Sequence, residues 1–492
     1  MHEVDVCLVN PPSHQRNPFN LAIPYLSASL KQSGFTTKII DATALGLGPE
    51  QTAERVASCR PRFVGLTVFS SIRVRPAQQA IAEIRHRLPD AAVVVGGIMA
   101  TLCPEEFAPY CDLVVTGPGE QVLAEIVRTW PGSGVYRLPG VAFHHREQDR
   151  LVVNPPEYAD DLDALPFPDW DGVLEDLSLD RVFFYNEISY RRELAVPALT
   201  SRGCPFRCAF CSNWILGAKQ VRRRSPENVV RELAWVKDRL GISLFHFCDD
   251  NFGYYPRHVE GICDGIVEAG LDVRWRCTIS ANAAKREATV RSLARAGCVR
   301  AMVGVESGDP EILERINKPI PIDDTERGVT LLKAAGIPVT TSFIIGLPGD
   351  TEQSVLRSME LAVRLRPSDL LVWSAIPLPK TEMREMAKDE GGLLESDDPY
   401  DPSPPPVRYV TPGLRGWDLM RLTIVFYSYW ASHDFMRAIR FLFIRLHYMG
   451  LSLGYRLKLT AALLRVMLVL LTRRALGRPL RFPRWARDRK AG

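Results

Sequence analysis

Short apolar runs alternate with helix-spaced segments along most of the chain. In the first 135 or so residues the runs are VDVCLVN (4–10), TTKIID (36–41), FVGLTVF (63–69), AAVVVGG (91–97) and DLVVTG (112–117). They are rich in Val, apolar on both faces, and end in Gly, Pro, Asp or Thr. The segments between them, such as Pro76–Leu88, carry apolar residues at helical spacing. Strands without polar alternation, joined by helices, predict a parallel sheet covered on both faces. Ligands of such sheets sit beyond the carboxyl ends of the strands. Those ends read NPP (10–12), DAT (41–43), FSS (69–71), GGIMAT (96–101) and GPGE (117–120). Small residues there let a large ligand approach the backbone.

Residues 154–171, rich in Pro and Asp, read as a linker. The alternation resumes at VPALTS (196–201), SLFHFCDD (243–250), VRWRCTIS (273–280), VRAMVGVES (299–307), VTTSFIIGLP (339–348) and LLVWSAIP (370–377). Six strand–helix units predict an open, partial α/β barrel with its chemistry at the strand C-termini. The acidic, Pro-rich stretch 389–406 breaks the pattern. A helical tail follows, with Phe435, Ile439, Leu442, Phe443 and Leu446 on one face. The expected domains are 1–150, a linker 151–194, a barrel 195–388, a Pro-rich acidic linker 389–416 and a basic helical region 417–492.

Composition narrows the class. The 492 residues are 46% hydrophobic and 24% charged, as in ordinary globular protein. Disordered, collagen-like and polytopic membrane proteins are thereby excluded. The net charge of +4 hides an asymmetry: from Trp417 onward 15 Lys and Arg face 3 Asp and Glu, a balance of +12, so the remainder carries −8. Such a split suggests that the tail meets something anionic. No stretch reaches the roughly 20 apolar residues that a bilayer span needs. The start, MHEVDVCLVNPP, has no secretory pattern, so the expected compartment is the reducing cytoplasm. Clustered cysteines there point to metal or catalysis.

One such cluster exists. TSRGCPFRCAFCSNW (200–214) holds Cys204, Cys208 and Cys211 in a C-x3-C-x2-C array just after the first barrel strand. Three thiolates on a tight loop can hold three irons of a 4Fe–4S cluster. The fourth iron then lacks a protein ligand and is open to another molecule. Zinc and buried free thiols are the alternatives; structural zinc wants four closed ligands, and no obvious fourth lies nearby.

This segment, with Phe210 before its last cysteine, resembles the signature of the radical S-adenosylmethionine (radical SAM) superfamily. The N-terminal region is similar to the cobalamin-binding domain of that superfamily's cobalamin-dependent branch. The likeness covers roughly residues 4–380, through LVNPP, GLTVFSS, VVVGGIMAT, VVTGPGE, FCDDNF, GVESGDPEIL and SFIIGLPGDT. It implies a fold: a Rossmann-like cobalamin-binding domain, a partial (β/α)6 radical SAM barrel, and an α-helical C-terminal region. It also implies three cofactors, a 4Fe–4S cluster, S-adenosylmethionine (SAM) and cobalamin. In the implied mechanism SAM chelates the open iron and is cleaved to a 5′-deoxyadenosyl radical, which abstracts hydrogen from an unactivated carbon. Methylcobalamin then supplies a methyl group, and a second SAM renews it. The protein binds, aligns and excludes water while the cofactors carry the hard chemistry.

The resemblance assigns further residues. Asp249 would contact SAM, or with Asp250 would cap a helix or pair with Arg222–Arg224. Glu306 would bind the SAM ribose, since a carboxylate can accept from two hydroxyls; a buried ion pair is the alternative. Ser280 and Asn282 would line the SAM pocket, and Gly346 would admit adenine. In the cobalamin domain Pro11, Asp41, Thr43, Ser70, Gly96, Gly97 and Thr101 would meet the corrin or its nucleotide tail. Many cobalamin proteins carry D-x-H-x-x-G; here the histidine position holds Thr43, so a histidine ligand to cobalt is not expected. Glu120 would cap the following helix or face the ligand; the cap is the leading reading, because Glu suits the first turn of a helix. Tyr254 and Tyr255 would line a substrate cavity or simply pack.

The leading expectation is a radical SAM C-methyltransferase acting on a natural-product intermediate or an anionic small molecule, lipid-linked ones included. A radical SAM oxidoreductase or cyclase without methyl transfer is the alternative, and a non-catalytic sensor a third. A flavodoxin or ferredoxin would donate electrons. Nucleic acid is not an expected partner, since no recognition motif accompanies the charge. The basic tail would cap the barrel mouth, rest on anionic lipid, or form a solvated face.

Overall fold

The structure is a computed structural model that describes residues 2–13, 20–145, 147–178, 184–185, 194–215, 220–318, 320–394, 400, 409–433, 461, 464, 468 and 486. All eleven apolar runs form strands. The first five are β1 (Val4–Asn10), β2 (Thr37–Asp41), β3 (Pro61–Thr67), β4 (Ala92–Gly96) and β5 (Leu113–Val115). They pair in parallel in the order β2-β1-β3-β4-β5. Both faces are buried, which is why these strands read as unbroken apolar runs. Val6, Leu8, Phe63 and Val94 pack with Ile23, Leu30, Leu123 and Ile126 from helices Ala22–Gln32 and Glu120–Thr129. On the other face Val9, Val64, Leu66 and Val95 meet Val56, Ala77 and Ile81 from Pro49–Ser58 and Val74–Arg87. The strand order reverses between β1 and β3, and a crevice opens beyond the strand ends at such a switch point.

The N-terminal unit extends beyond residue 150, the expected boundary. An antiparallel hairpin, β6 (Val141–His145) and β7 (Arg150–Val153), completes the seven-stranded sheet. The segment expected to be a linker also docks on this unit. Its helix Trp170–Leu174 fully buries Trp170, and Asp169 accepts from Ser27 Oγ at 2.5 Å and pairs with Lys31 at 2.6 Å. Pro and Asp concealed this docking in the sequence, because one buried aromatic anchors a stretch that is otherwise polar.

The second sheet gathers β8 (Phe184–Tyr185), β9 (Leu194–Ala198), β12 (Leu244–Phe252), β13 (Arg274–Ile279), β14 (Cys298–Glu306), β15 (Val339–Ile345) and β16 (Asp369–Ser374). Its order is β16-β15-β14-β13-β12-β9-β8. The strands from β9 to β16 are parallel, and β8 adds an antiparallel edge. The two edges do not meet, so the sheet is a curled half-barrel. Between β9 and β12 runs a two-stranded ribbon, β10 (Ser201–Arg202) and β11 (Arg222–Arg223). The helix Leu419–Ser432 closes against the barrel through Phe426, 5.3 Å from Phe343, and through Tyr427 Oη, which accepts from Val372 N at 2.9 Å. The predicted apolar face Phe435–Leu446 lies outside the described residues. Among the described residues no helix is long and apolar enough to cross a membrane.

One buried ion pair fixes the start of the barrel. Arg224 (6% exposed side chain) pairs with Glu232 (2%) and donates to Leu199 O at 2.8 Å and Asn228 Oδ1 at 2.7 Å. It therefore ties the end of β9 to helix Pro226–Leu240. Removing one partner leaves a buried charge uncompensated, which costs about 3–5 kcal/mol. Arg224→Met is expected to lower denaturant stability by that amount, and the further change Glu232→Leu to restore most of it. Equal stability of the single variant and the wild type would contradict this role.

Candidate active site

The cysteine loop leaves β10 and runs through Cys204, Cys208 and Cys211 to Asn213. Its backbone is pinned from both sides. Ala209 N donates to Ile316 O at 2.9 Å, and Met383 N donates to Ala209 O at 2.9 Å. Phe210 is half-buried against the small core of Ile312, Leu313, Ile316 and Met383. Phe206 meets Tyr254 edge-on at 5.9 Å between centroids, and Tyr254 meets Tyr255 at 4.8 Å. The two tyrosines thus pack on the loop.

Two carboxylates at the end of β12 hold the loop's entrance. Asp249 accepts from Thr200 N at 2.7 Å, Thr200 Oγ1 at 2.5 Å and Ser201 Oγ at 2.6 Å. Burial pushes its pKa up to about 6 against these bonds. Asp250 accepts from Gly203 N and from Asn213 Nδ2, each at 2.8 Å, and so joins the two ends of the loop. Neither pairs with Arg222–Arg224: Arg224 holds Glu232, and Arg222 lies 3.6 Å from Asp160. In the structure the oxygens of Asp249, expected to contact SAM, accept from Thr200 and Ser201.

The three thiols sit within one another's electrostatic reach. Burial raises each pKa, and the neighbouring thiols raise Cys208 and Cys211 further; Cys208 reaches about 11. Lys318 opposes this from nearby. Burial works against its charge, but Glu306 and the thiols outweigh that and hold its pKa above the ordinary range. Lys318 Nζ donates to Glu306 Oε1 at 3.2 Å. Among the described residues no three His, Cys, Asp or Glu side chains converge as around a single ion. Three soft thiol donors on one loop, within one another's electrostatic reach, suit an iron–sulfur cluster held by Cys. Glu306 itself has φ +67°, an uncommon conformation for a side-chain residue and typical of functional positions.

Beside the loop lies a cavity of about 530 Å³. The first sheet lines it with Gly65, Thr67, Gly96, Gly97 and Thr101, the half-barrel with Ser201, Arg202, Gly203 and Asp250. The glycines make it. A Cβ on Gly65 would stand 3.1 Å from Leu8 Cδ2, and one on Gly97 2.8 Å from Val68 O. Thr101 Oγ1 closes the rim by accepting from Gly117 N at 2.9 Å. A deep, largely apolar slot that opens from sheet helices to the domain junction fits a large cofactor with a slender tail, so the residues present fit cobalamin.

Pro11, Asp41 and Thr43 fall outside this cavity lining, in a separate polar cluster at the ends of β1 and β2; Ser70, just beyond β3, does not line the cavity either. Arg73 (1% exposed) organises the cluster. Its Nη1 donates to Thr43 Oγ1 at 2.8 Å, Asn10 Oδ1 at 3.2 Å and Pro11 O at 3.3 Å. Asp41 accepts from Ala44 N and Asn10 Nδ2, each at 2.8 Å. Burial nevertheless raises its pKa to about 6. Sequence reasoning missed Arg73, because an isolated arginine opening a helix gives no pattern.

Gly346 (φ +84°) forms a tight turn, and Leu419 Cδ1 lies 2.8 Å from where a Cβ on it would stand. Ser280 is spent capping Ala281–Ala284, accepting from Ala283 N at 3.3 Å, and Asn282 sits half-buried on that short helix. Glu120 sits in the first turn of its helix, where, against burial, Arg202 and the amides at the helix start lower its pKa. It reaches across the domain junction to Arg202, with Nη2 donating to Oε1 at 2.6 Å. Arg202 was also missed.

A cysteine loop at the mouth of a parallel half-barrel, facing a cofactor-sized slot in a Rossmann-like domain, defines a two-domain iron–sulfur protein. The comparisons agree. Residues 199–362 match the radical SAM superfamily, and residues 16–127 match the B12 binding domain. An uncharacterized methyltransferase of Pyrococcus horikoshii is 30% identical over 383 residues, covering 76% of this chain and 79% of that one. The anaerobic magnesium-protoporphyrin IX monomethyl ester cyclase of Rubrivivax gelatinosus is 28% identical over 75% of this chain, which spans 66% of that relative's length. In fold, the chain is similar to the radical SAM methyltransferase TsrM of Kitasatospora setae, solved with cobalamin and a [4Fe-4S] cluster. That likeness has a TM-score of 0.70 at 23% identity, covering 95% of this chain and 100% of that one. The cobalamin-dependent radical SAM enzyme OxsB is similar at a TM-score of 0.71 and 17% identity, over 96% and 81% of the two chains. The chain belongs to the radical SAM superfamily, in the branch that carries a B12-binding domain. Its cofactors are accordingly a 4Fe–4S cluster, SAM and cobalamin.

Two predictions follow from this geometry. Gly97 has φ +96° and ψ −177°, a conformation open essentially to Gly. Gly97→Ala is expected to cost more than about 1 kcal/mol and to reduce cobalamin retained on purification; unchanged retention would contradict the role given to this turn. Asp350 braces the Gly346 turn, accepting from Gly346 N at 2.9 Å and Leu347 N at 3.0 Å, and burial raises its pKa from 3.8 to about 6. A raised folded-state pKa gives stability that is present below pH ~4 and is lost as pH rises toward ~6. Thermal midpoints of Asp350→Asn relative to the wild type are therefore expected to rise across that window. A flat or falling difference would refute the shift.

Proposed function

We propose that the protein is a cobalamin-dependent radical SAM C-methyltransferase that methylates an unactivated carbon of a small molecule. The observation that carries this reading is the shared cavity: residues flanking the cysteine loop and residues at the ends of the first sheet line one space. When bound, the cluster with SAM supplies a hydrogen-abstracting radical, and cobalamin supplies a methyl group. The chain's own residues do the rest. Cys204, Cys208 and Cys211 hold the cluster and leave one iron to SAM. Asp250 keeps the loop's ends together, and Glu306, on its strained backbone, meets the SAM ribose. Gly96, Gly97 and Thr101 admit cobalamin, while Arg73 with Asp41 and Thr43 keeps the strand ends dry and ordered. Excluding solvent matters because water would divert a reactive intermediate.

The substrate on this reading is a natural-product intermediate or another anionic small molecule, lipid-linked ones included. The +12 balance after Trp417 supports that class and a peripheral contact with anionic lipid. A flavodoxin or ferredoxin supplies the electron, and the protein works in the cytoplasm. The likeness to the cyclase keeps cyclisation without methyl transfer as the second reading.

The test uses reduced, reconstituted protein. Cys204→Ala, Cys208→Ala and Cys211→Ala are each expected to abolish 5′-deoxyadenosine formation from SAM while cobalamin stays bound. Retained cleavage would falsify the cluster assignment. With SAM carrying a labelled methyl group and a small-molecule extract of the source cells, a labelled product is expected. An unlabelled, oxidised or cyclised product would favour the second reading.

A further inference from the structure

One link across the junction reaches directly into the cysteine loop's entrance. Glu120 opens helix Glu120–Thr129 of the B12-binding domain and is 8% exposed. Arg202 lies two residues before Cys204, on the short ribbon strand β10. The guanidinium donates to Glu120 at 2.6 Å and also lies 5.4 Å from the ring centroid of Tyr25, on helix Ala22–Gln32. Both contacts of this barrel residue therefore come from the other domain. On its own side, Arg202 pairs through its backbone with Arg222, and the next residue, Gly203 (φ +98°), donates to Asp250. A displacement of Arg202 thus passes straight into the segment that carries the first thiol.

We propose that the Glu120–Arg202 ion pair is a positioning device that sets the register between the cobalamin slot and the cysteine loop. The physical argument concerns specificity rather than stability. The pair is only partly wetted, with side chains 29% (Arg202) and 9% (Glu120) exposed; an ion pair with a buried partner recovers little net free energy after desolvation, but it tolerates few alternative geometries. The burial of Glu120 is opposed by Arg202 and by the amides at its helix start, which hold its pKa below the ordinary carboxylate range. Another ion pair across the junction, Lys380 with Glu105 at 3.0 Å, has side chains 46% and 50% exposed. A pair so wetted is worth little, so it serves as the control.

The inference rests on the methyl-transfer reading, in which SAM gives two products by two routes. Cleavage to 5′-deoxyadenosine needs only the barrel. Donation of the SAM methyl group to reduced cobalamin releases S-adenosylhomocysteine and needs both domains in register. The experiment uses full-length protein loaded with cluster and cobalamin, with SAM, with titanium(III) citrate as reductant, and without substrate. Glu120→Gln and Arg202→Met are expected to lower the ratio of S-adenosylhomocysteine to 5′-deoxyadenosine by about tenfold, equivalent to ~1.4 kcal/mol, with 5′-deoxyadenosine formation retained. Arg202→Lys is expected to recover part of the ratio, and Lys380→Ala to leave it unchanged. Amide hydrogen exchange over residues 200–213 of the cofactor-free protein is expected to quicken in Glu120→Gln and not in Lys380→Ala. An unchanged ratio, a proportional loss of both products, or unchanged exchange overturns the proposal. If the wild type forms 5′-deoxyadenosine but no S-adenosylhomocysteine, the methyl-transfer reading fails, and the exchange result alone decides the pair's role.

Discussion

The structure turns on how a loop with three thiols is held open yet still. Five donors from its entrance and exit converge on two adjacent carboxylates: Thr200 N, Thr200 Oγ1 and Ser201 Oγ on Asp249, and Gly203 N and Asn213 Nδ2 on Asp250. Burying a carboxylate is costly unless its lone pairs are satisfied. These bonds offset that cost and make the loop's geometry a property of β12, the strand that carries both residues. The middle of the loop hangs on Ile316 and Met383 through the backbone of Ala209 and the packing of Phe210. Its thiols are thereby left for the metal.

A second constraint meets the first at the domain junction. Small residues at the ends of β3 and β4 hollow the sheet edge where side chains would otherwise close it, and the half-barrel supplies the opposite wall. Neither domain forms this space alone. The chemistry assigned to the family brings a radical source and a methyl source to one carbon, and that requires two rigid scaffolds in fixed relation rather than one elaborate fold.

The parallel strands were legible because burial on both faces leaves an unbroken apolar run, as in VDVCLVN and AAVVVGG. The cysteine loop was legible because a cluster needs several ligands at close spacing. What escaped depends on single residues meeting across long stretches of chain. Trp170 makes an apparent linker part of the first domain. Leu419 fills the space in front of Gly346, from beyond the acidic break. Arg73 and Arg202 are isolated arginines whose partners lie at Thr43 and Glu120. Asp249 shows the limit: a carboxylate at a strand end signals that something binds it, but not which partner, and here Thr200 and Ser201 do.

The central claim is that three thiols leave one iron free for SAM. Mössbauer spectra of the reconstituted cluster, recorded with and without SAM, test it most directly. The account predicts four irons, of which one alone changes its spectrum when SAM is added. Four irons that remain alike after SAM, or a protein that takes up zinc and no sulfide under the same conditions, would contradict it.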